Sequence, residues 1–226
     1  MKEYKYYFFD LFHTLIRIEP YADEKHREHA LLGLTQSEWS SLAESDYTSR
    51  ALGIIKKPQQ VIETILSHMD SPVSKETAQA VYNVRCERFR KAFLEVEASI
   101  LDTIKELKKR NKVLVLVSNA DVFDTLYWNE SPLYIYFDSA VFSCDAGHMK
   151  PDIKIYKAAL ESVQADISKS VFIGDGGHNE LSGAKKAGFE TVLTKQIIIS
   201  CWPGEIPRLS KTADYVVDNL SELLHY

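Results

Sequence analysis

The sequence predicts an α/β protein with a mostly parallel sheet covered by helices on both faces, plus an all-helical insert. Three observations carry this. From Ile100 onward, short apolar runs alternate with helix-like segments, the pattern of parallel strands joined by helical crossovers. Residues 17–95 carry helix signals and no strand signal. Four apolar runs end directly in polar residues, at the sheet edge where clefts form in such folds.

Taken in order, residues 4–9 (YKYYFF) read as a short buried strand that stops at Asp10. Pro20 to Leu32 is charged and helix-prone, and Thr35-Gln-Ser-Glu38 has the form of a capping box that opens the next helix. Pro58 to Met69 places Val61, Ile65, Leu66 and Met69 on one face. Asp70-Ser-Pro72 breaks the chain, and Ser74 to Glu95 reads as a long helix with Ala80, Val81, Val84 and Phe89 inward. Ile100 to Arg110 is a helix and Lys112 to Val117 (KVLVLV) a buried strand. Asp121 is expected to start a helix. Ala140 to Phe142 is a strand, Asp152 to Val163 a helix, and Ser170 to Ile173 a strand. Asn179 to Ala187 is a helix ended by Gly188. Strands at Glu190 to Leu193 and Asp214 to Val217, then a short helix, complete the chain.

Composition bounds the function. Hydrophobic residues make up 45% and charged residues 26% of 226, which excludes wholesale disorder and fibrous structure. The net charge of -5 lacks the basic footprint of a nucleic-acid binder. It leaves room for a local pocket that takes a small anion. Cys86, Cys144 and Cys201 are odd in number and widely spaced. They predict reduced thiols in a cytoplasm rather than a disulfide framework or zinc site. The N-terminal apolar run is too short for a signal peptide, and no run of 18 apolar residues suggests a membrane span.

The predicted strand ends collect the chemistry. The first is followed by Asp10, His13 and Thr14, and the second by Ser118 and Asn119. After the third comes Lys150-Pro-Asp152, and after the fourth Gly174-Asp175, with Asn179 and Glu180 close behind. Five of the nine glycines (Gly174, Gly176, Gly177, Gly183 and Gly188) fall between residues 174 and 188, where a bare backbone permits close approach to a ligand. The run is neither a dinucleotide fingerprint nor a P-loop.

The ordered set Asp10-Leu-Phe-His-Thr14, Ser118, Lys150-Pro-Asp152 and Gly174-Asp175 with Asn179-Glu180 resembles the haloacid dehalogenase superfamily of aspartate-nucleophile hydrolases. The resemblance implies a Rossmann-like core split between residues 1–16 and 96–226, with residues 17–95 as an inserted helical cap of the C1 type. It implies a hydrolase acting on a small phosphorylated or otherwise anionic metabolite, as a monomer or homodimer. Asp10 would be the nucleophile, forming a covalent intermediate. Asp10, Asp175 and the Phe12 carbonyl would hold Mg²⁺, an oxygen-rich set suited to that ion. Lys150 would offset the repulsion between carboxylate and phosphate. Ser118, the Asn119 amide and Thr14 would bind the substrate, with Asn179 and Glu180 in support.

Phe12 departs from the pattern, because family phosphatases carry an acid–base Asp there. Its loss removes a proton-transfer group worth roughly 10²–10⁴ in rate. Three readings follow. In the first, a Mg²⁺-dependent phosphatase uses a leaving group that needs little protonation, or an acid such as His13 or His178. A variant of it is a phosphonoacetaldehyde-hydrolase-like C–P hydrolase with Lys56 as Schiff base. The second is a 2-haloacid dehalogenase, which Phe12 suits and Asp175 opposes. The third is a non-catalytic binder of a phospho-ligand or protein. Within the cap, Tyr21, His26, Trp39, Tyr47 and Arg50 are candidates to face the substrate. The aromatic run Tyr127-Trp128 and Tyr134 to Phe137 is expected in the core, with an oligomer patch as the alternative.

Overall fold

A computed structural model describes residues 2–18 and 27–226 of the chain. The predicted helix from Pro20 therefore lies largely outside the described residues, as do the cap candidates Tyr21 and His26. The strands form where β-branched and aromatic residues run together. They are β1 (Tyr6–Phe9), β2 (Val113–Ser118), β3 (Ser139–Phe142), β4 (Ser170–Gly174), β5 (Glu190–Thr194) and β6 (Tyr215–Val217). They make one sheet in the order β3-β2-β1-β4-β5-β6, every pair parallel. Alternate residues feed two cores. Tyr7, Phe9, Leu114, Leu116, Val171 and Ile173 pack on one face, and Tyr6, Phe8, Val115, Val117 and Phe172 on the other. That is the period-two geometry of a sheet covered on both sides.

The helices are α1 (Glu28–Leu31), α2 (Gln36–Glu44), α3 (Tyr47–Ala51), α4 (Pro58–Leu66) and α5 (Lys75–Leu94). Then come α6 (Ala98–Lys109), α7 (Ser143–Ala146), α8 (Ile153–Ser162) and α9 (Glu180–Ala187). The Thr35 capping box is formed, with Glu38 N–H donating to Thr35 Oγ1 at 3.2 Å and Thr35 N–H to Glu38 at 2.7 Å. Val61, Ile65, Leu66, Val81 and Phe89 are buried as the periodicity predicts. Between β1 and α6 the described residues hold five helices and no strand. Among the described residues, no helix is long and apolar enough to cross a membrane.

One prediction is corrected. Asp121 does not start a helix; residues 122–127 form turns that lead into a 3₁₀ turn at Trp128–Glu130. The Asp121 carboxylate accepts from the amides of Phe123 (2.8 Å) and Asp124 (3.1 Å), while its own amide donates to the Asp124 carboxylate at 3.1 Å. Short acidic side chains that bond the local backbone compete with a helical ladder, and here they win. The aromatic run divides: Trp128 is buried against Phe93, Phe137 and Phe142, but Tyr134 and Ile135 are exposed.

Candidate active site

The parallel topology sends β1, β2 and β4 to one edge, so Asp10, Ser118–Asn119 and Asp175 meet there from distant parts of the chain. Lys150, in the loop between α7 and α8, reaches the same point. Its Nζ donates to Asp10 Oδ1 at 2.5 Å and to Glu180 Oε2 at 2.7 Å. Thr14 Oγ1 donates to the other Asp10 oxygen at 2.8 Å. Both oxygens of the buried Asp10 carboxylate are therefore held by donors, and its orientation is fixed.

Asp10, Asp175 and Glu180 are all buried, with carboxylate oxygens within 4.8 Å of one another. Asp10 and Glu180 share one ammonium while Asp175 stands beside them, and the ionisation equilibria follow from that. Burial alone would lower the Lys150 pKa, but the charges of Asp10 and Glu180 outweigh it and hold it above the ordinary lysine value. Burial pushes the Glu180 carboxyl well above its usual range, and the Asp10 charge adds to it. Asp175 is raised by the same two causes. An all-oxygen acidic cluster of this kind matches the donor preference of a hard divalent cation.

The site's supports are local. Asn119 Oδ1 accepts from Lys150 N–H at 2.7 Å and its Nδ2 donates to Lys150 O at 2.9 Å, locking the lysine loop to the end of β2. Glu180 Oε1 accepts from Gly176 N–H at 3.1 Å. The glycine-rich run serves these contacts more than a ligand. A Cβ at Gly174 would lie 2.0 Å from Glu180 Oε1, and one at Gly183 would meet Pro151 at 2.8 Å. Ser118 is buried, and its hydroxyl donates to Asn119 O at 3.3 Å. Asn179 stands exposed at the start of α9, outside the acidic cluster.

A cavity of about 360 Å³ opens over the cluster. Asp10, Lys150, Asp175 and Glu180 form one wall, and Phe12, Phe89, Arg85 and Asp124 line it as well. Phe12 packs edge-on against Phe89 (6.1 Å) and Phe93 (6.4 Å) of α5. His13 lines the cavity with its ring 4.5 Å from Trp202, and the exposed His178 stacks on Tyr47 at 6.1 Å. Of the cap candidates, Tyr47 lines the cavity, Trp39 is core, and Arg50 is buried in an ion pair with Asp121 at 2.7 Å. Lys56 is placed elsewhere, against the Cys144 carbonyl at 3.5 Å.

Sequence reasoning missed Arg85 and Asp124. A signal existed for the first: Val81, Arg85, Phe89 and Phe93 follow at four-residue spacing and are all buried, so a charge sits on the apolar stripe of α5. Asp124 had none, because the turn that aims it was expected to be helix.

A family model for haloacid dehalogenase-like hydrolases matches residues 4–188. The chain belongs to the haloacid dehalogenase-like hydrolases. Solved structures of this family share the architecture. The HAD-hydrolase YfnB from Bacillus subtilis, bound to magnesium, superposes with a TM-score of 0.69 at 18% identity, covering 99% of this chain and 98% of its own. L-2-haloacid dehalogenase from Xanthobacter autotrophicus, with chloropropionic acid covalently bound, gives 0.69 at 16% identity, covering 98% and 97%. Among curated proteins, pyrophosphatase PpaX from Bacillus mycoides is 28% identical over 132 residues, which is 58% of this chain and 59% of that protein. The match thus spans less than two thirds of the relative's length.

Proposed function

We propose that this haloacid dehalogenase-like hydrolase is a Mg²⁺-dependent phosphatase that uses Asp10 as its nucleophile on a small phosphorylated metabolite. The observation that carries the reading is the buried cluster of Asp10, Asp175 and Glu180 around Lys150. A third carboxylate beside the nucleophile would repel an anionic substrate unless a cation joins it. Asp10, Asp175 and the Phe12 carbonyl are the groups to hold Mg²⁺. When bound, the ion would neutralise charge on the transferring phosphoryl group.

The chain's own residues supply the rest. Thr14 and Lys150 orient the Asp10 carboxylate, and one of its oxygens bonds to phosphorus as the bond to the leaving oxygen breaks. Lys150 keeps its proton throughout and offsets the repulsion between the two anions. Glu180 holds Lys150 in place and is in turn fixed by the Gly176 amide. The Asn119 amide and the Ser118 hydroxyl serve as donors to phosphoryl oxygens. Water then hydrolyses the aspartyl phosphate and restores Asp10. Phe12 carries no proton, so the leaving group must be weakly basic. The bond broken by a pyrophosphatase such as the PpaX relative has that property.

Residues 17–95 are read as a cap over a core of residues 1–16 and 96–226, supported by Glu44, Tyr47, Arg85 and Phe89 lining the cavity. Phosphate release from acetyl phosphate or p-nitrophenyl phosphate should require Mg²⁺ and vanish in Asp10→Asn. Metal-independent chloride release from 2-chloropropionate would replace this reading with that of a dehalogenase. Binding of phosphometabolites without turnover of any substrate would replace it with that of a binding protein.

A further inference from the structure

Away from Asp10, the cavity meets a buried ionic network that the chemistry above leaves unused. Three arginines and three carboxylates make it up. Arg50 pairs with Asp121 at 2.7 Å and Arg88 with Glu28 at 2.6 Å. Arg85 is different. Its ion pairs are long, 3.4 Å to Asp124 and 4.0 Å to Glu28, where the other two arginines pair closely. Its guanidinium lies 4.8 Å from the Phe89 ring and 5.1 Å from the Phe123 ring, which fixes the plane without consuming the donors. Arg85 and Asp124 line the cavity, whereas Arg50, Arg88, Asp121 and Glu28 are not among its lining residues.

We propose that Arg85 is a specificity-determining residue that grips a second anionic group of the substrate, a carboxylate or a phosphate. The inference rests on the phosphatase reading for the first anion. The two poles are joined by an apolar bridge. Phe12 is two residues from Asp10, its ring is 6.1 Å from Phe89, and Phe89 underlies Arg85. The substrate class that fits has a phosphoryl group at one end, a short apolar or neutral middle, and an anion at the other. A planar five-donor fork matches either anion with two parallel hydrogen bonds.

Asp124 regulates how available the fork is. Burial and the nearby Asp121 charge push its carboxyl up to about 7. Arg85, Arg50 and Asp121 surround it, and Tyr47 and Glu44 also face the cavity. Once protonated, Asp124 stops competing for the guanidinium.

The test compares kcat/KM for 3-carboxyphenyl phosphate and 4-carboxyphenyl phosphate, which carry a second anion on the same type of leaving group, with that for phenyl phosphate, which does not. Wild type should prefer the first two. Arg85→Met and Arg85→Lys should cut that preference roughly ten- to hundredfold, chiefly through KM, the loss expected for a hydrogen bond to a charged group. A merely structural role would depress all three substrates alike and would overturn the proposal. Should Arg85→Met not fold, Arg85→Lys and Asp124→Asn decide. Asp124→Asn removes the competing charge and should keep or sharpen the preference. A loss as large as that in Arg85→Lys would refute the role of the guanidinium. If wild type hydrolyses none of these, the phosphatase reading fails and thermal shift judges Arg85 separately. In that case 3-carboxyphenyl phosphate must raise the wild-type Tm more than phenyl phosphate does, and Arg85→Lys must lose the excess. An equal shift in both proteins sinks the inference.

Discussion

Replacing Lys150 with methionine tests the charge balance of the site most directly. The side chain is 3% exposed and sits 2.5 Å from Asp10 and 2.7 Å from Glu180. At an effective dielectric of about 20, each contact is worth roughly 6 kcal/mol of gross Coulomb attraction. Most of that repays the desolvation of the ions, so the net cost of removing one buried partner is about 3–5 kcal/mol. For a chain of this size, 1 kcal/mol shifts Tm by roughly 2–4 °C, which predicts a fall of about 6–20 °C.

The loss should depend on pH. Burial holds the carboxyls of Glu180 and Asp175 above their usual range. The folded state therefore keeps protons that the unfolded chain releases, and stability drops as pH rises through that window. Lys150 opposes the drop as long as it is present; its own raised pKa means its contribution fades only at strongly alkaline pH. Lys150→Met should thus cost more at pH 8 than at pH 5. It should also gain more from Mg²⁺ than wild type, since a cation at 100 times its Kd adds about 2.7 kcal/mol. Urea unfolding followed by tryptophan fluorescence, at both pH values with and without 10 mM MgCl₂, measures each term. A change below 1 kcal/mol in metal-free buffer at pH 8, or an equal loss at both pH values, would refute the reasoning.

Two further outcomes are expected. Under the proposed mechanism Phe12→Asp would supply an acid–base group and should raise kcat for p-nitrophenyl phosphate at least tenfold, while losing the ring contacts to Phe89 and Phe93; an unchanged kcat would mean that this group does not limit turnover. Gly53→Ala places a Cβ 1.9 Å from the Cys144 carbonyl at a φ of +72 and should cost about 2–4 kcal/mol, read from the urea midpoint; a loss under 0.5 kcal/mol would contradict the close approach of the α3 end to α7.

Much of this was legible in the sequence because two independent periodicities agree. The strands YYFF and VLVLVS are too apolar to be anything but buried, and the polar residue after each falls at the cleft edge by topology alone. Asp10 and Asp175 could therefore be placed at that edge from the strands, and the resemblance adds Lys150 and Glu180 to the same site. What could not be read was side-chain competition. The expected role of Asn119 is carried by its backbone amide; that its carboxamide also ties down the Lys150 backbone could not be read. The Asp121 carboxylate bonds two backbone amides, which turns a promising helix start into a turn. Asn179 lies in the left-handed region and points its residue outward. Each depends on which of several equally available donors an acceptor meets first, and spacing carries no such information.

Phe12 draws these threads together. It lines the same cavity as the three carboxylates and one ammonium of the cluster, so an aspartate at this position would add a fourth acidic group there. A phenyl ring avoids that charge, and under the proposed mechanism a divalent cation then brings the cluster close to neutrality. A neutral cluster orients a phosphoryl group but gives little net attraction at longer range. Attraction must come from elsewhere in the cavity, and Arg85 is the lining guanidinium able to give it. Phe12 also ties the two ends mechanically, since its ring packs on Phe89 of α5, the helix that carries Arg85. Under the proposed mechanism, the ring that stands in place of a proton donor thus also couples the Asp10 loop to the distal cation. On this account, substrates are chosen by a weakly basic leaving group at one end and a second anion at the other.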